Sequence, residues 1–182
     1  MKQNRTCLII AEDSPESHGP AGERLRLMAL ESNSFFSKTI VLTQGKIWPQ
    51  GSGKVGSKTI LYKTGFVRAT PFPISAFFEP IRLLAFLIYG GVLSARYRPS
   101  HIIALMPPFE TGVGGLLLTR LLRSELIIDY MDYWEGSLSS YLTRYVPEVL
   151  LELTFRFARR IYSSATVIFA VTSRLANIIK EH

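Results

Sequence analysis

Residues 7–11 read CLIIA, residues 21–32 read AGERLRLMALES, and residues 38–42 read KTIVL. The first and third stretches are apolar on successive residues, which is typical of parallel strands buried on both faces. The stretch between them has the length and composition of a helix. Strand, helix and strand in this order predict a right-handed crossover and a parallel sheet.

The same alternation continues along the chain. The predicted strands are Cys7 to Ala11, Lys38 to Leu42, Thr59 to Tyr62, His101 to Leu105, Leu126 to Asp129 and Thr166 to Ala170. The predicted helices are Ala21 to Ser32, Phe77 to Tyr97, Gly112 to Arg123, Pro147 to Ser164, and a last one from Ser173. We therefore expect an α/β fold with a Rossmann-like, doubly wound, mainly parallel sheet and helices on both faces.

The helix from Pro147 to Ser164 has the clearest pattern. Proline suits its first turn, and its acidic residues precede its arginines, which matches the helix dipole. Four apolar side chains recur on one face and are expected to meet the sheet: Leu150, Leu153, Phe157 and Ile161.

Length and composition indicate one domain over residues 1–182. The chain is 47% hydrophobic, which excludes general disorder. Its single cysteine, Cys7, allows no intramolecular disulfide and no thiolate metal site. Met1 to Thr6 is polar and lacks the apolar region of a secretory signal. We therefore expect a cytoplasmic protein.

The net charge indicates an anionic partner. The sequence contains 21 Lys and Arg against 14 Asp and Glu, a formal charge of +7. Lipid headgroups, nucleic acid and phosphorylated substrates would all fit this charge. Because no nucleic-acid motif or regular basic and aromatic alternation is present, we expect no nucleic-acid partner.

The loop after the first predicted strand ends in Gly19 and Gly22 at a helix start. In open α/β sheets, ligands bind beyond the carboxyl ends of the strands. Free backbone N–H groups at a helix start can hold a phosphate or a sugar hydroxyl, although the glycines could also serve a tight turn. The G-x-G-x-x-G spacing of a dinucleotide site is missing. Glu12 and Asp13 could bind magnesium, but the third strand supplies no further carboxylate.

The loop after the fourth predicted strand leads to Glu110 and Gly112. Thr111 is expected to cap the helix that starts at Gly112. This glycine would let a ligand or a strand approach closely, and close packing alone is the alternative explanation.

The loop after the fifth predicted strand combines carboxylates with aromatic rings: Asp129, Tyr130, Asp132, Tyr133, Trp134 and Glu135. Aromatic faces stack on sugar rings, and carboxylates accept hydrogen bonds from sugar hydroxyls. The alternative is a capping aspartate with aromatic residues that fill the edge of the core.

These segments together resemble the N-terminal domain of retaining GT-B glycosyltransferases, the large group 1 (family 4) enzymes. The resemblance covers nearly the whole chain. Residues 132–135 (DYWE) are similar to that family's Asp-Leu-Trp-Pro-Glu element. The other matching segments are 19–24 (GPAGER), 106–108 (MPP) and 167–173 (VIFAVTS). The family's usual adjacent glycine pair is replaced here by Gly19-Pro20-Ala21-Gly22.

The resemblance implies the acceptor-binding half of a hexosyltransferase-like enzyme. Such an enzyme moves a sugar from a nucleotide-sugar donor to a glycan or lipid-linked acceptor in polysaccharide or glycolipid biosynthesis. Its nucleotide-sugar site lies in a C-terminal domain that residues 1–182 do not contain. We therefore expect this half to bind no cofactor, to be inactive alone, and to need that domain or subunit as a partner. The alternative is a non-catalytic binding or scaffolding relative.

The resemblance also implies site residues. Asp132 matches a polar residue that faces the reacting sugar, and it is the expected catalytic residue. The expected substrate-binding residues are Gly19, Gly22, Glu110, Gly112, Tyr130, Trp134 and Glu135. No metal site is expected.

The helix from Phe77 to Tyr97 is unusually apolar and carries basic residues at its end. Its uncharged run, Leu83 to Ala95, has thirteen residues, whereas a membrane span needs about 20. We expect peripheral association with an anionic membrane surface through its apolar side chains: Phe77, Phe78, Leu83, Leu84, Phe86, Leu87 and Ile88. The alternative is that this helix covers the sheet and that its surplus apolar surface meets the second domain.

Overall fold

Strands and helices alternate along the described part of the chain. A computed structural model describes residues 5–16, 18–44, 58–64, 79–133 and 148–181. Its strands are β1 (Thr6–Ala11), β2 (Lys38–Thr43), β3 (Thr59–Lys63), β4 (His101–Met106), β5 (Glu125–Tyr130) and β6 (Val167–Ala170). Its helices are α1 (Pro20–Phe35), α2 (Glu79–Tyr97), α3 (Phe109–Leu122), α4 (Glu148–Ser164) and α5 (Ser173–Glu181). Each predicted strand is confirmed to within one residue at either end.

The six described strands form one parallel sheet in the order β3-β2-β1-β4-β5-β6. Ile10 of β1 pairs with Leu42 on one side and with Ala104 of β4 on the other. The chain first builds outward from β1 to β3 and then crosses back to β4. The strand order therefore reverses between β1 and β4, which confirms the Rossmann-like, doubly wound prediction.

Helices cover both faces of this sheet. On one face, which we call the α3 face, Leu8 and Ile10 pack with Phe86 of α2 and Leu118 of α3. On the opposite face, the α1 face, side chains of the alternate strand residues pack against α1: Cys7, Ile9 and Val41 contact the cluster that contains Leu25 and Ala29. Burial on both faces explains why the strands are apolar on successive residues.

Helix α4 presents a different face to the sheet from the predicted one. Leu153 and Phe157 are 53% and 41% exposed, and the side chain of Leu150 lies outside the described ones. Of the predicted set, Ile161 is fully buried. The other buried side chains of this helix are Leu151, Ala158 and Tyr162. The prediction was wrong because α4 carries two apolar stripes, and helical periodicity alone does not tell which stripe meets the core.

Helix α2 is amphipathic rather than apolar all round. Phe86 is fully buried, whereas Leu84 and Ile88 are more than half exposed. Phe77 and Phe78, which the sequence places in the same helix, lie outside the described residues. Among the helices that the structure describes, none is long and apolar enough to cross a membrane.

Candidate functional site at the carboxyl edge of the sheet

The candidate loops converge at one edge of the sheet. β1, β4 and β5 are adjacent and parallel, so the segments that follow them emerge side by side. The strand order reverses between β1 and β4, and a reversal of this kind opens a crevice in doubly wound sheets. The fold therefore brings together the three loops that the sequence singled out.

The first loop reaches α1 through Gly19. The backbone of Gly19 has φ +156°, a conformation that residues with a side chain rarely adopt. A Cβ added at Gly19 would meet no atom within 4 Å. The constraint on this glycine is therefore the backbone conformation and not the space around it. No side chain caps α1, and Pro20 occupies its first turn. Gly19 is exposed, whereas Gly22 is buried in the helix.

An ion pair between two side chains connects the first loop to the sheet. Lys63 Nζ, at the end of β3, lies 2.6 Å from Glu16 Oε2. Glu12 is half-buried and Asp13 is exposed. In the described ranges, no three His, Cys, Asp or Glu side chains are grouped so that they could hold a metal ion.

Helix α3 begins three residues earlier than predicted. It starts at Phe109, and Pro108 with extended backbone stands before it. The Thr111 hydroxyl donates to the carbonyl oxygens of Leu105 (2.5 Å) and Pro108 (2.6 Å). The prediction that Thr111 caps the helix was therefore wrong. Its side chain instead joins the first turn of α3 to the end of β4.

Gly112 of α3 packs against Met106, the last residue of β4. A Cβ at this position would lie 2.5 Å from Met106 Sδ and 2.9 Å from Met106 Cε. A side chain here would force the buried Met106 side chain to move, so close packing accounts for the glycine. A substrate contact at Gly112 stays a prediction.

Glu110 is buried at the start of α3 and is part of a polar cluster. Its side chain is 3% exposed, and Oε1 accepts hydrogen bonds from Arg82 Nε at 2.9 Å and Gln44 Nε2 at 3.3 Å. The sequence prediction included Glu110 but missed both partners. A lone arginine in the apolar run Ile81-Arg82-Leu83 was the available signal, since an arginine is rarely buried without a partner.

The end of β5 is joined to α1 by a buried ion pair. Asp129 is fully buried, and it accepts hydrogen bonds from Arg24 Nε at 2.6 Å and Arg24 Nη2 at 2.5 Å. The hydrogen bond with Asp129 raises the pKa of Arg24 above its already high value. This bidentate pair links the start of α1 to the end of β5, directly before the third loop.

Tyr130 and Asp132 lie in contrasting surroundings. Tyr130 is fully buried, and its ring packs edge to face against Tyr162 at 5.6 Å between centroids. The buried Tyr130 ring therefore has a packing role, and its contact with a substrate stays a prediction. Asp132 is exposed, and its Oδ1 accepts a hydrogen bond from the Tyr133 backbone N–H at 2.8 Å. Trp134 and Glu135 lie outside the described residues.

The architecture is that of one half of a GT-B protein, a Rossmann-like domain with its loops gathered at the carboxyl edge. Sucrose-phosphate synthase from Thermosynechococcus elongatus matches 97% of this chain over 45% of its own length, with a TM-score of 0.70 and 13% identity. A UDP-N-acetylglucosamine 2-epimerase matches 99% of this chain over 46% of its own, with a TM-score of 0.55 and 12% identity.

A third solved structure has the same fold. A protein from Listeria monocytogenes assigned as a UDP-N-acetylglucosamine 2-epimerase matches 98% of this chain over 42% of its own, with a TM-score of 0.61 and 11% identity. This chain thus spans less than half the length of each of the three structures. No family model matches the sequence, and no curated protein matches it significantly. At these identities, the likeness shows the fold.

Proposed function

We propose that this chain is the acceptor-binding half of a glycosyltransferase. The complete enzyme would move a sugar from a nucleotide-sugar donor to a glycan or lipid-linked acceptor. The observation that carries this proposal is the convergence of the three expected sugar-binding loops at one edge of a sheet that matches sucrose-phosphate synthase over 97% of the chain. Binding at this edge is the general rule for doubly wound sheets.

In this proposal Asp132 orients a hydroxyl group of the acceptor or donor sugar and is not a nucleophile. Its carboxylate is exposed, and the Tyr133 N–H holds one of its oxygens. Behind it, the Arg24 and Asp129 pair anchors the end of β5. An exposed carboxylate on an anchored strand end can hold a sugar hydroxyl in one orientation, which is how positioning lowers a reaction barrier.

In this proposal, the second half of the enzyme binds the nucleotide sugar. Donor positioning and stabilisation of the leaving diphosphate both require groups supplied by that half. This half alone would bind no cofactor and transfer no sugar. Its partners would be the C-terminal domain or subunit and the acceptor.

Complementation tests the proposal. The chain is combined with a donor-binding half, and sugar transfer from a nucleotide sugar is measured with and without an acceptor glycan. We expect acceptor-dependent turnover that Asp132→Asn lowers, whereas Glu31→Gln, an exposed change on α1, leaves it unchanged. Binding of the partner half without any turnover would instead show the scaffolding alternative.

The two epimerase matches favour a second candidate, one half of a UDP-sugar epimerase. These structures cover 98% and 99% of this chain. An epimerase acts on its nucleotide sugar with no acceptor. Acceptor-independent conversion of UDP-N-acetylglucosamine by the reconstituted protein would therefore favour this candidate over the transferase.

A lipid-linked acceptor would also require access to a membrane, and the outer side of α2 and α3 suits one. The apolar side chains exposed there are Ile81, Leu84, Ile88 and Val92 of α2 and Leu117 and Leu121 of α3. Among the described side chains of these helices, the exposed charges are Arg96 and Arg120, and Arg98 and Arg123 follow directly. An apolar surface with basic residues along its rim is complementary to anionic lipid headgroups.

A further inference from the structure

Among the described residues, two buried side chains, one after β2 and one at the start of α3, have an oxygen without a hydrogen-bond partner. Glu110 Oε1 is shared by Arg82 and Gln44, but Glu110 Oε2 accepts no hydrogen bond. Gln44 donates through Nε2, and its Oε1 is likewise without a partner. Glu110 and Gln44 are 3% and 4% exposed, so water at the surface does not solvate these oxygens.

A third unpartnered oxygen belongs to the neighbouring strand. Thr64 is 2% exposed, and its hydroxyl has no hydrogen-bond partner. Thr64 and Gln44 each come one residue after the registered pair Lys63 and Thr43. They are therefore neighbours across β3 and β2, and the alternation of side chains places both on the α3 face with Tyr62 and Leu42.

This concentration of unpartnered atoms costs stability. A buried acceptor without a donor is destabilising, and a charged one is more so. Within the described residues, six buried side-chain atoms have no partner, and three of them belong to this cluster. Native proteins seldom leave such groups unpaired unless they serve a ligand or an ordered water.

The chemistry of the cluster defines what would bind. Glu110 Oε2 and Gln44 Oε1 only accept, so the ligand must donate hydrogen bonds. Arg82, 2.9 Å from Glu110, already balances the carboxylate charge, so a neutral donor suits the site better than a cation. The hydroxyl of Thr64 can both donate and accept. Neighbouring hydroxyl groups on a sugar ring have this pattern.

We propose that Gln44, Thr64 and Glu110 form a subsite that binds adjacent hydroxyl groups of the acceptor sugar. The inference rests on the proposed acceptor-binding function. It names the residues that would recognise the sugar hydroxyl groups. The subsite lies under the ends of β2 and β3 and at the start of α3, at the same edge of the sheet as Asp132. Because its oxygens are closed off from bulk water, a sugar must enter by local opening.

The side-chain amide of Gln44 reports binding directly. The ¹⁵N-labelled chain is titrated with methyl α-D-glucopyranoside, methyl α-D-mannopyranoside and N-acetylglucosamine, and with tetrahydropyran as a ring that lacks hydroxyl groups. We expect at least one of the three sugars, but not tetrahydropyran, to shift the Gln44 amide signals. If the sugars shift only signals elsewhere at the carboxyl edge, the subsite is refuted and the proposed function stands. If no sugar binds anywhere, both fail.

A pair of substitutions separates ligand binding from a structural role. Gln44→Met removes the unpartnered Oε1 together with the Nε2 hydrogen bond to Glu110, and it should weaken sugar binding about tenfold, equivalent to about 1.4 kcal/mol. Thr39→Val is the matched control, because Thr39 is fully buried with an unpartnered hydroxyl near the opposite end of β2. It should leave sugar affinity unchanged.

The free proteins provide the second measurement. Thr39→Val removes only an unpaired buried oxygen and should not melt below the wild type, whereas Gln44→Met also loses the 3.3 Å hydrogen bond to Glu110 and should melt slightly below it. Equal sugar affinity for Gln44→Met and the wild type would overturn the proposal. If no sugar shifts the Gln44 signals of the wild type and Gln44→Met alone loses much melting temperature, the Gln44 amide has a structural role and the subsite is refuted.

Discussion

Removing Arg24 should destabilise the fold more than removing the charge of Asp129, although the two side chains form one ion pair. The Asp129 carboxylate is 0% exposed, whereas the Arg24 side chain is 37% exposed. In Arg24→Ala, the carboxylate stays buried and loses both hydrogen bonds. In Asp129→Asn, the guanidinium that remains can still be hydrated on its exposed side.

The difference in exposure between the two side chains sets the expected loss of stability in each variant. An uncompensated buried charge costs about 3–5 kcal/mol. Losing hydrogen bonds to a charged group that can rehydrate costs about 1.5–3 kcal/mol. At about 2–4 °C per kcal/mol for a chain of this size, Arg24→Ala should lower Tm by about 6–20 °C and Asp129→Asn by about 3–12 °C. In either variant, the end of β5 near Asp132 loses its ion pair with α1.

Urea denaturation at neutral pH measures the free energy of unfolding of both variants, provided that their m-values equal that of the wild type. The control is Arg26→Ala, which breaks a pair of similar length with Glu23 (2.6 Å) on the exposed side of the same helix. That pair should contribute at most about 1 kcal/mol. The reasoning is refuted if Arg24→Ala costs no more than Arg26→Ala, or if Asp129→Asn is the more destabilising change of the pair.

Three further predictions concern Asp132, the packing of Gly112, and the exposed apolar side chain of Leu84. In a reconstituted enzyme, Asp132→Asn should lower turnover about tenfold or more, the loss of one transition-state contact of about 1.4 kcal/mol, with an unchanged melting curve; full turnover would make this carboxylate structural. Gly112→Ala should destabilise the chain by about 1–3 kcal/mol, because its Cβ would meet Met106 Sδ at 2.5 Å. Gly91→Ala, whose Cβ meets nothing within 4 Å, should be neutral or stabilising in thermal melts. Leu84→Asp should abolish co-sedimentation with anionic vesicles at low salt; wild-type chain that stays in the supernatant at low salt would contradict the membrane proposal.

The strands could be predicted closely because their signal is local. Burial on both faces requires consecutive apolar residues, and sequences such as Leu8-Ile9-Ile10 show this directly. Helix starts and helix faces were harder to predict. Thr111 before Gly112 has the composition of a cap, but its hydroxyl bonds backward to Leu105 and Pro108. Helix α4 offered two apolar stripes, and only packing decided between them.

The side-chain contacts of the candidate site depend on residues far apart in the chain. Asp129 belongs to the segment that the sequence singled out, but its partner Arg24 lies 105 positions away. The Glu110 cluster joins residues from β2's end, α2 and α3, which no local spacing reveals. The sequence thus located the loops, while the fold determined which polar groups meet. The expected roles of Asp132 and Gly19 stay predictions.

We propose that the carboxyl edge of this sheet binds the acceptor sugar and not the nucleotide sugar. Backbone amide shifts of the isolated chain, titrated separately with methyl glycosides and with UDP-sugars, test it directly. We expect the glycosides to shift amides at the ends of β1, β4 and β5, among them Gly19, Glu110 and Asp132, and the UDP-sugars to add no shift beyond that of their sugar. Tight UDP binding at this edge, or an absence of glycoside shifts at millimolar concentration, would contradict the account.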